Sequence, residues 1–187
     1  MRILLLTIAF SLSSIVLSAQ ASRGFDFVEG YVHTLKGDTL KGQVCYVNTK
    51  TNERLDKIYY LDAANSKKRM GAEKLAGFGF EGKHFEYVEI GDGFGKIPMQ
   101  RVVQGDINLY NAWFKTENSN TRSFEYEKAV FLKKKNKEDL FEVFERKFEK
   151  AMAGYFKGDE DIIELMKTNS WGINDLDKIV NAYNVKE

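Results

Sequence analysis

Residues that carry chemistry are scarce in this chain. Its 187 residues include one cysteine, one proline and two histidines. A lone Cys45 excludes an internal disulfide, so stability has to come from a packed core. A zinc site needs three or four ligands at recognisable spacing. His33, His84 and Cys45 could meet only by an accident of folding, and a cysteine on a strand is usually a small buried hydrophobe. Charge of one sign is lacking too, with 28 basic against 27 acidic residues. That balance gives no global pull toward nucleic acid or an anionic membrane. From these absences we expect no catalytic, cofactor-binding or metal-ligating residue, no cofactor and no nucleic-acid partner.

What is present begins with a leader. Met1-Arg2 precedes an apolar run from Ile3 to Leu17, interrupted by Thr7, Ser11, Ser13 and Ser14, and Ala19-Gln20-Ala21 supplies small residues for cleavage. A transmembrane anchor needs about 20 uninterrupted apolar residues, so a cleaved signal peptide over 1–21 is the expectation. Cleavage after Ala19 and after Ala21 read equally well. No cysteine follows the apolar run, so no lipid anchor is expected, and no transmembrane span should remain after cleavage. The protein is then periplasmic or secreted.

Residues 22–135 read as an antiparallel β domain. The spacing predicts a hairpin from Tyr31 to Tyr46 with Gly37-Asp38 as a two-residue turn. That register pairs Leu35 with Leu40 and Tyr31 with Val44, turning Tyr31, Leu35, Leu40, Val44 and Tyr46 to the core. Further strands are predicted at Lys57–Leu61, Ala76–Phe80, His84–Ile90, Ile97–Val103, Ile107–Phe114 and Ser123–Leu132. Asn48 to Asp56, Asp62 to Met70 and Lys115 to Arg122 read as polar loops. Gly82 turns the second hairpin, Gly77 and Gly79 suggest close approach or a bend, and Pro98 belongs at a strand start or edge. About eight strands on short loops favour a meander that closes as a barrel or folds as a sandwich, an α+β fold once the C-terminus is added.

Residues 136–187 read as a helical region packed on the β domain. Asn136 should cap a helix running to about Phe156, with Asp139 near its start and Leu140, Phe141, Phe144, Phe148, Met152 and Phe156 on one face. Gly158-Asp159 ends it and starts a second helix containing Ile162, Ile163 and Met166. Asn174 caps a third, with Leu176, Ile179, Val180 and Tyr183 inward.

Several strings invite a functional reading. Gly91-x-Gly93-x-Gly95 resembles a phosphate loop, but such a loop must open a helix and here a strand follows. Asp92 alone lacks the alternating oxygens of a calcium loop. Glu81, Glu86, Glu89, Glu125 and Glu127 offer carboxylates, and a glycosidase would need two across a cleft. Glu125 and Glu127 alternate with aromatics and read as a solvated face. The runs Lys67-Lys68-Arg69 and Lys133 to Lys137 could touch anionic head groups or glycan phosphates, although short basic runs are usually just solvated. Tyr59, Tyr60, Phe78, Phe80, Phe85, Tyr87, Tyr110, Trp113, Phe114, Phe124 and Tyr126 are dense enough that an exposed subset would form a binding platform.

Four short strings carry a resemblance: Leu35 to Lys41, Ala76-Gly77-Phe78-Gly79-Phe80, Gly105-Asp106-Ile107-Asn108-Leu109-Tyr110 and Ala182-Tyr183-Asn184. With the leader, the chain resembles uncharacterised exported proteins of Bacteroidetes-type bacteria. The resemblance brings no activity and no functional residue, and implies an envelope or secreted setting in a Gram-negative cell. The leading expectation is a non-enzymatic exported protein that binds a protein, glycan or lipid. The alternatives are a carrier of a small apolar ligand in a β-barrel cavity and a hydrolase built on a carboxylate pair.

Overall fold

The computed structural model describes residues 26–48, 53–91, 95–118 and 123–186. The signal peptide expected over 1–21, and Asp92 to Phe94 of the glycine-rich loop, lie outside them. The architecture is α+β, with one antiparallel sheet followed by three short helices. Among the described residues no helix is long and apolar enough to cross a membrane.

The strands are β1 (Val28–Thr34), β2 (Thr39–Asn48), β3 (Glu53–Leu61), β4 (Lys67–Met70), β5 (Leu75–Phe80), β6 (Lys83–Glu89), β7 (Lys96–Val103), β8 (Ile107–Asn118), β9 (Ser123–Lys134) and β10 (Phe141–Val143). Their order is β10-β9-β8-β7-β6-β5-β1-β2-β3-β4, an open sheet rather than a closed barrel. Ten strands replace the expected eight or so. One addition is β4, the basic run Lys67-Lys68-Arg69, whose cations on an edge strand discourage further pairing. β3 also begins at Glu53, within what reads as a loop, and β8 runs on to Asn118. The ladder from β7 to β8 starts at Gln100, two residues past Pro98, so the missing N–H of that proline costs no bond on that side.

Flat geometry cannot join β4 to β5. Four inter-strand spacings would separate them by about 19 Å, yet the steps from Met70 to Leu75 reach only about 17 Å. The sheet must therefore coil, and its inner face wraps one aromatic core. Val32, Val44, Ile58, Leu75 and Phe78 are fully enclosed there, and Phe78 stacks on Phe85 at 4.8 Å between ring centres.

The first hairpin differs from the expected register. His33 pairs with Thr39, Val32 with Leu40 and Tyr31 with Lys41, so Leu35 and Leu40 are not cross-strand neighbours. The turn is a three-residue loop, Leu35-Lys36-Gly37, closed by a bond from the Thr34 N–H to the Asp38 carbonyl (2.9 Å). Gly37 takes the left-handed position at φ +92° as the last loop residue, where a bulge follows the turn. The pairing thereby moves by three residues, an odd number, and β1 presents its other face. Val32 is buried in place of Tyr31, and Leu35 is 56% exposed in the loop.

The predicted helix from Asn136 to Phe156 is also corrected. Its first half forms β10, in which Phe141, Glu142 and Val143 pair with Leu132, Phe131 and Val130. Helix α1 (Phe148–Tyr155) starts only afterwards, and Phe144 is 59% exposed rather than inward. The open edge of β9 offered hydrogen-bond partners to the short alternation Phe141-Glu142-Val143, and tertiary pairing overrode the helical spacing. Helices α2 (Glu160–Thr168) and α3 (Leu176–Asn184) lie where the apolar spacing places them, α2 starting after Asp159. A 3-10 turn (Ile173–Asp175) precedes α3, whose cap position is Asp175 rather than Asn174. Phe148, Met152, Phe156, Ile162, Met166, Leu176, Ile179 and Val180 form one core with Val103, Ile107, Leu109, Leu132 and Val143.

One side chain ties α3 to the sheet. Asn184 accepts the Ile107 N–H on Oδ1 and donates from Nδ2 to the Ile107 carbonyl, both at 2.9 Å. Gly105 leaves the room for it, because a Cβ there would lie 2.2 Å from the Asn184 amide. Replacing Asn184 with Ala removes two bonds and strands two half-buried backbone groups. Urea denaturation should show a loss of about 2 kcal/mol, and an unchanged midpoint would refute the clamp. In the β5–β6 turn, Glu81 and Gly82 both take positive φ (+50° and +72°). Asparagine suits that first position better, so Glu81→Asn should raise stability by about 0.5–1 kcal/mol in the same assay.

Candidate functional site

The face of the sheet opposite the aromatic core carries a polar row. Register places Tyr31, Gly79, His84, Arg101 and Tyr110 side by side on β1, β5, β6, β7 and β8. The adjacent row holds His33, Gly77 and Glu86. Both histidines thus sit on one face, bracketing Tyr31 at 4.8 Å (His33) and 6.0 Å (His84) between ring centres. Gly79 makes this possible, since a Cβ on it would meet the Tyr31 ring at 2.4 Å. Local spacing along the chain gives no sign of this meeting.

Each of these groups already has a partner. The Tyr31 hydroxyl shares a hydrogen bond with Nδ1 of His84, and Nδ1 of His33 lies 2.8 Å from the Thr39 hydroxyl. Glu86 accepts from Arg101 and, at 2.7 Å, from the Tyr110 hydroxyl. Burial first, then the hydrogen bond and charge of Glu86, hold the Tyr110 phenol well above the ordinary tyrosine range. The network reads as internal wiring of a sheet face. Cys45 lies one residue past Val44, the partner of Val28 at the start of β1, whereas His33 is five residues further along that strand. Among the described residues no three His, Cys, Asp or Glu side chains are close enough to hold a metal.

The remaining sequence candidates are dispersed. Glu81 sits exposed in a turn, Glu89 and Glu127 are exposed, Glu86 is bound as above, and the Glu125 side chain lies outside the described residues. The glycine-rich segment connects β6 to β7, and no helix follows it. The concave face that a carrier would need to keep open is filled by Phe78, Phe80, Phe85 and Tyr46, with Trp113 against them.

Space is found instead at the helical end. A recess of about 660 Å³ opens between the end of β9, β10 and α1. Lys134, Lys137, Lys147 and Lys150 line it against a single carboxylate, Asp139, and Leu140, Phe141 and Tyr155 form its apolar wall. The volume falls in the usual range for small-ligand sites. Nζ of Lys134 stands 5.2 Å from the centre of the Tyr155 ring. The Tyr155 hydroxyl is buried without a hydrogen-bond partner, and burial, with the Tyr183 phenol adding to it, raises its pKa well above the ordinary value.

Local rules are broken at this recess. Lys147 occupies the N-cap of α1 in the left-handed conformation (φ +67°), with no side-chain cap on the helix. A left-handed conformation costs a non-glycine residue about 1–2 kcal/mol. Arg146 and Lys147 also place positive charge at the positive end of the helix, which only Glu149 in the first turn offsets. Of the run Lys133 to Lys137, Lys134 and Lys137 line the recess. Sequence reasoning missed Lys147 and Lys150 because they lie in what reads as the middle of a longer helix.

No family model matches the chain, and no match is found among the curated proteins or the solved structures.

The phenols give a direct check on this geometry. Unfolded tyrosines ionise near about pH 10. Tyr110 and Tyr155 keep their protons to higher pH when folded, so the stability they contribute is complete below about pH 10 and is lost as pH climbs through their raised pKa. Followed by tyrosinate absorbance, both phenols should stay protonated above the ordinary tyrosine range. Tyr110→Phe should destabilise by about 1 kcal/mol, whereas Tyr155→Phe, which removes an unpartnered buried hydroxyl, should be neutral or stabilising.

Proposed function

We propose that the chain is a non-enzymatic exported protein of the cell envelope that binds an anionic ligand in the lysine-lined recess. The observation that carries this reading is that four lysines and a single carboxylate line one recess beside a helix start with no side-chain cap. The near-balance of charge over the whole chain does not account for such a concentration. Lysine meets a phosphate or carboxylate as a mobile point charge, and the Phe141 and Tyr155 rings supply an apolar flank for the rest of the ligand. A glycan or a lipid head group bearing phosphate fits this chemistry. The leader-like segment over 1–21 and the resemblance to exported Bacteroidetes-type proteins support the envelope setting.

Titration of the purified protein with pyrophosphate tests the reading. Binding should weaken as salt rises, and Lys147→Gln with Lys150→Gln should lower affinity at least tenfold. A control change at the far edge, Lys67→Gln, should leave it unaltered. Equal affinity in all three proteins would remove the recess from consideration. For the export claim, protein recovered from the envelope fraction should begin at Gln20 or Ser22, and a start at Met1 in the cytosol would refute it.

A further inference from the structure

A second cavity, of about 790 Å³, adjoins the first on the other flank of α1. Lys147 and Lys150 line both cavities, so these two cations stand on the ridge between them. The second cavity has a mixed lining. Phe148, Ile163, Met166, Trp171 and Ile173 contribute apolar surface beside Ala153, and the carboxylates Glu145 and Glu149 share the rim with Lys147, Lys150 and Lys167. The five large apolar residues belong to, or pack on, the helical core, and a groove remains over their outer surfaces. An anion held at Lys147 and Lys150 therefore has a groove with five large apolar side chains directly beside it. A ligand that was only a charged head would leave that groove to water.

We infer that the ligand is a single-chain anionic amphiphile, its phosphate-type head in the lysine recess and its alkyl chain in the groove floored by Phe148, Ile163, Met166, Trp171 and Ile173. The inference rests on the reading of the recess given above and adds the tail. Charge complementarity identifies the head, and continuity across the shared lysines identifies what lies next to it. Burying two methylenes of a hydrophobic chain is enough for about a tenfold gain in affinity over the head alone.

The test compares pyrophosphate, dodecyl phosphate below its micelle concentration and the uncharged dodecyl maltoside. The chain has two tryptophans, Trp113 and Trp171, so the Trp113→Phe protein reports from the groove alone. Dodecyl phosphate should bind at least tenfold more tightly than pyrophosphate and shift the Trp171 emission to the blue, whereas dodecyl maltoside should bind at least tenfold more weakly than dodecyl phosphate. Ala153 is exposed on α1, so Ala153→Phe should fold normally while plugging the groove. It should abolish the gain from the tail and leave pyrophosphate binding intact. Equal affinity for head and amphiphile, with no change at Trp171, would overturn the inference and leave the anion site standing. Dodecyl maltoside binding as well as dodecyl phosphate would overturn it too, because the head would then be irrelevant. If neither anion binds, the recess reading falls with it.

Discussion

The ladder between β1 and β5 is the connection on which the whole sheet depends. The strands β1 to β4 form one meander and β5 to β10 another, and this seam joins them. Glycine lines it on both sides. A Cβ on Gly30 would fall 2.3 Å from the Gly79 carbonyl oxygen across the seam, and one on Gly77, at the neighbouring β5–β6 ladder, would fall 2.4 Å from that of Phe85. Backbone cannot swing aside as a side chain can, so the coil of the sheet is set by what these positions lack. On one face the seam seats Val32 against Phe78, and on the other it lets the Tyr31 ring lie over Gly79 between the two histidines.

At the opposite end of the sheet, the recess follows from a competition over residues 136–147. Their apolar spacing favours a helix, while the edge of β9 presents unpaired backbone groups. Pairing wins for three residues, and α1 is delayed to Phe148. That delay brings Lys147 to the helix start and leaves a gap between β10 and α1 that four lysines line. The Asn184 clamp on Ile107 then fixes α3 beneath the β8 end of the sheet, so the helices bury their faces against strands rather than only against each other.

Much of this was legible, and the failures have identifiable causes. The strands from His84 through Leu132 were readable as short runs rich in apolar and aromatic residues bounded by turn residues. Both of their faces are buried in part, the second at Val88, Met99, Tyr110, Ala112 and Phe131. The positions of α2 and α3 were readable because their apolar residues fall at spacings of three and four. The first hairpin was misread because Gly37 serves two turn geometries, and only the bond from Thr34 to Asp38 selects the three-residue loop. Strand β4 was hidden by its own charges, since an edge strand has no need of an apolar alternation. The recess was not visible at all, because its lysines come from three separate elements and each run, taken alone, is an ordinary polar surface.

The amino-acid order by itself determined the class of the molecule: a β-rich module with a helical C-terminus, carrying one cysteine and two histidines. Those are properties of composition and of short-range periodicity, which act within one element. Which face of β1 turns inward, whether Phe141 joins a strand or a helix, and whether scattered lysines share a cavity were decided by pairing between distant segments. No local pattern encodes those outcomes, because each depends on which backbone edge is open when the rest of the sheet has formed.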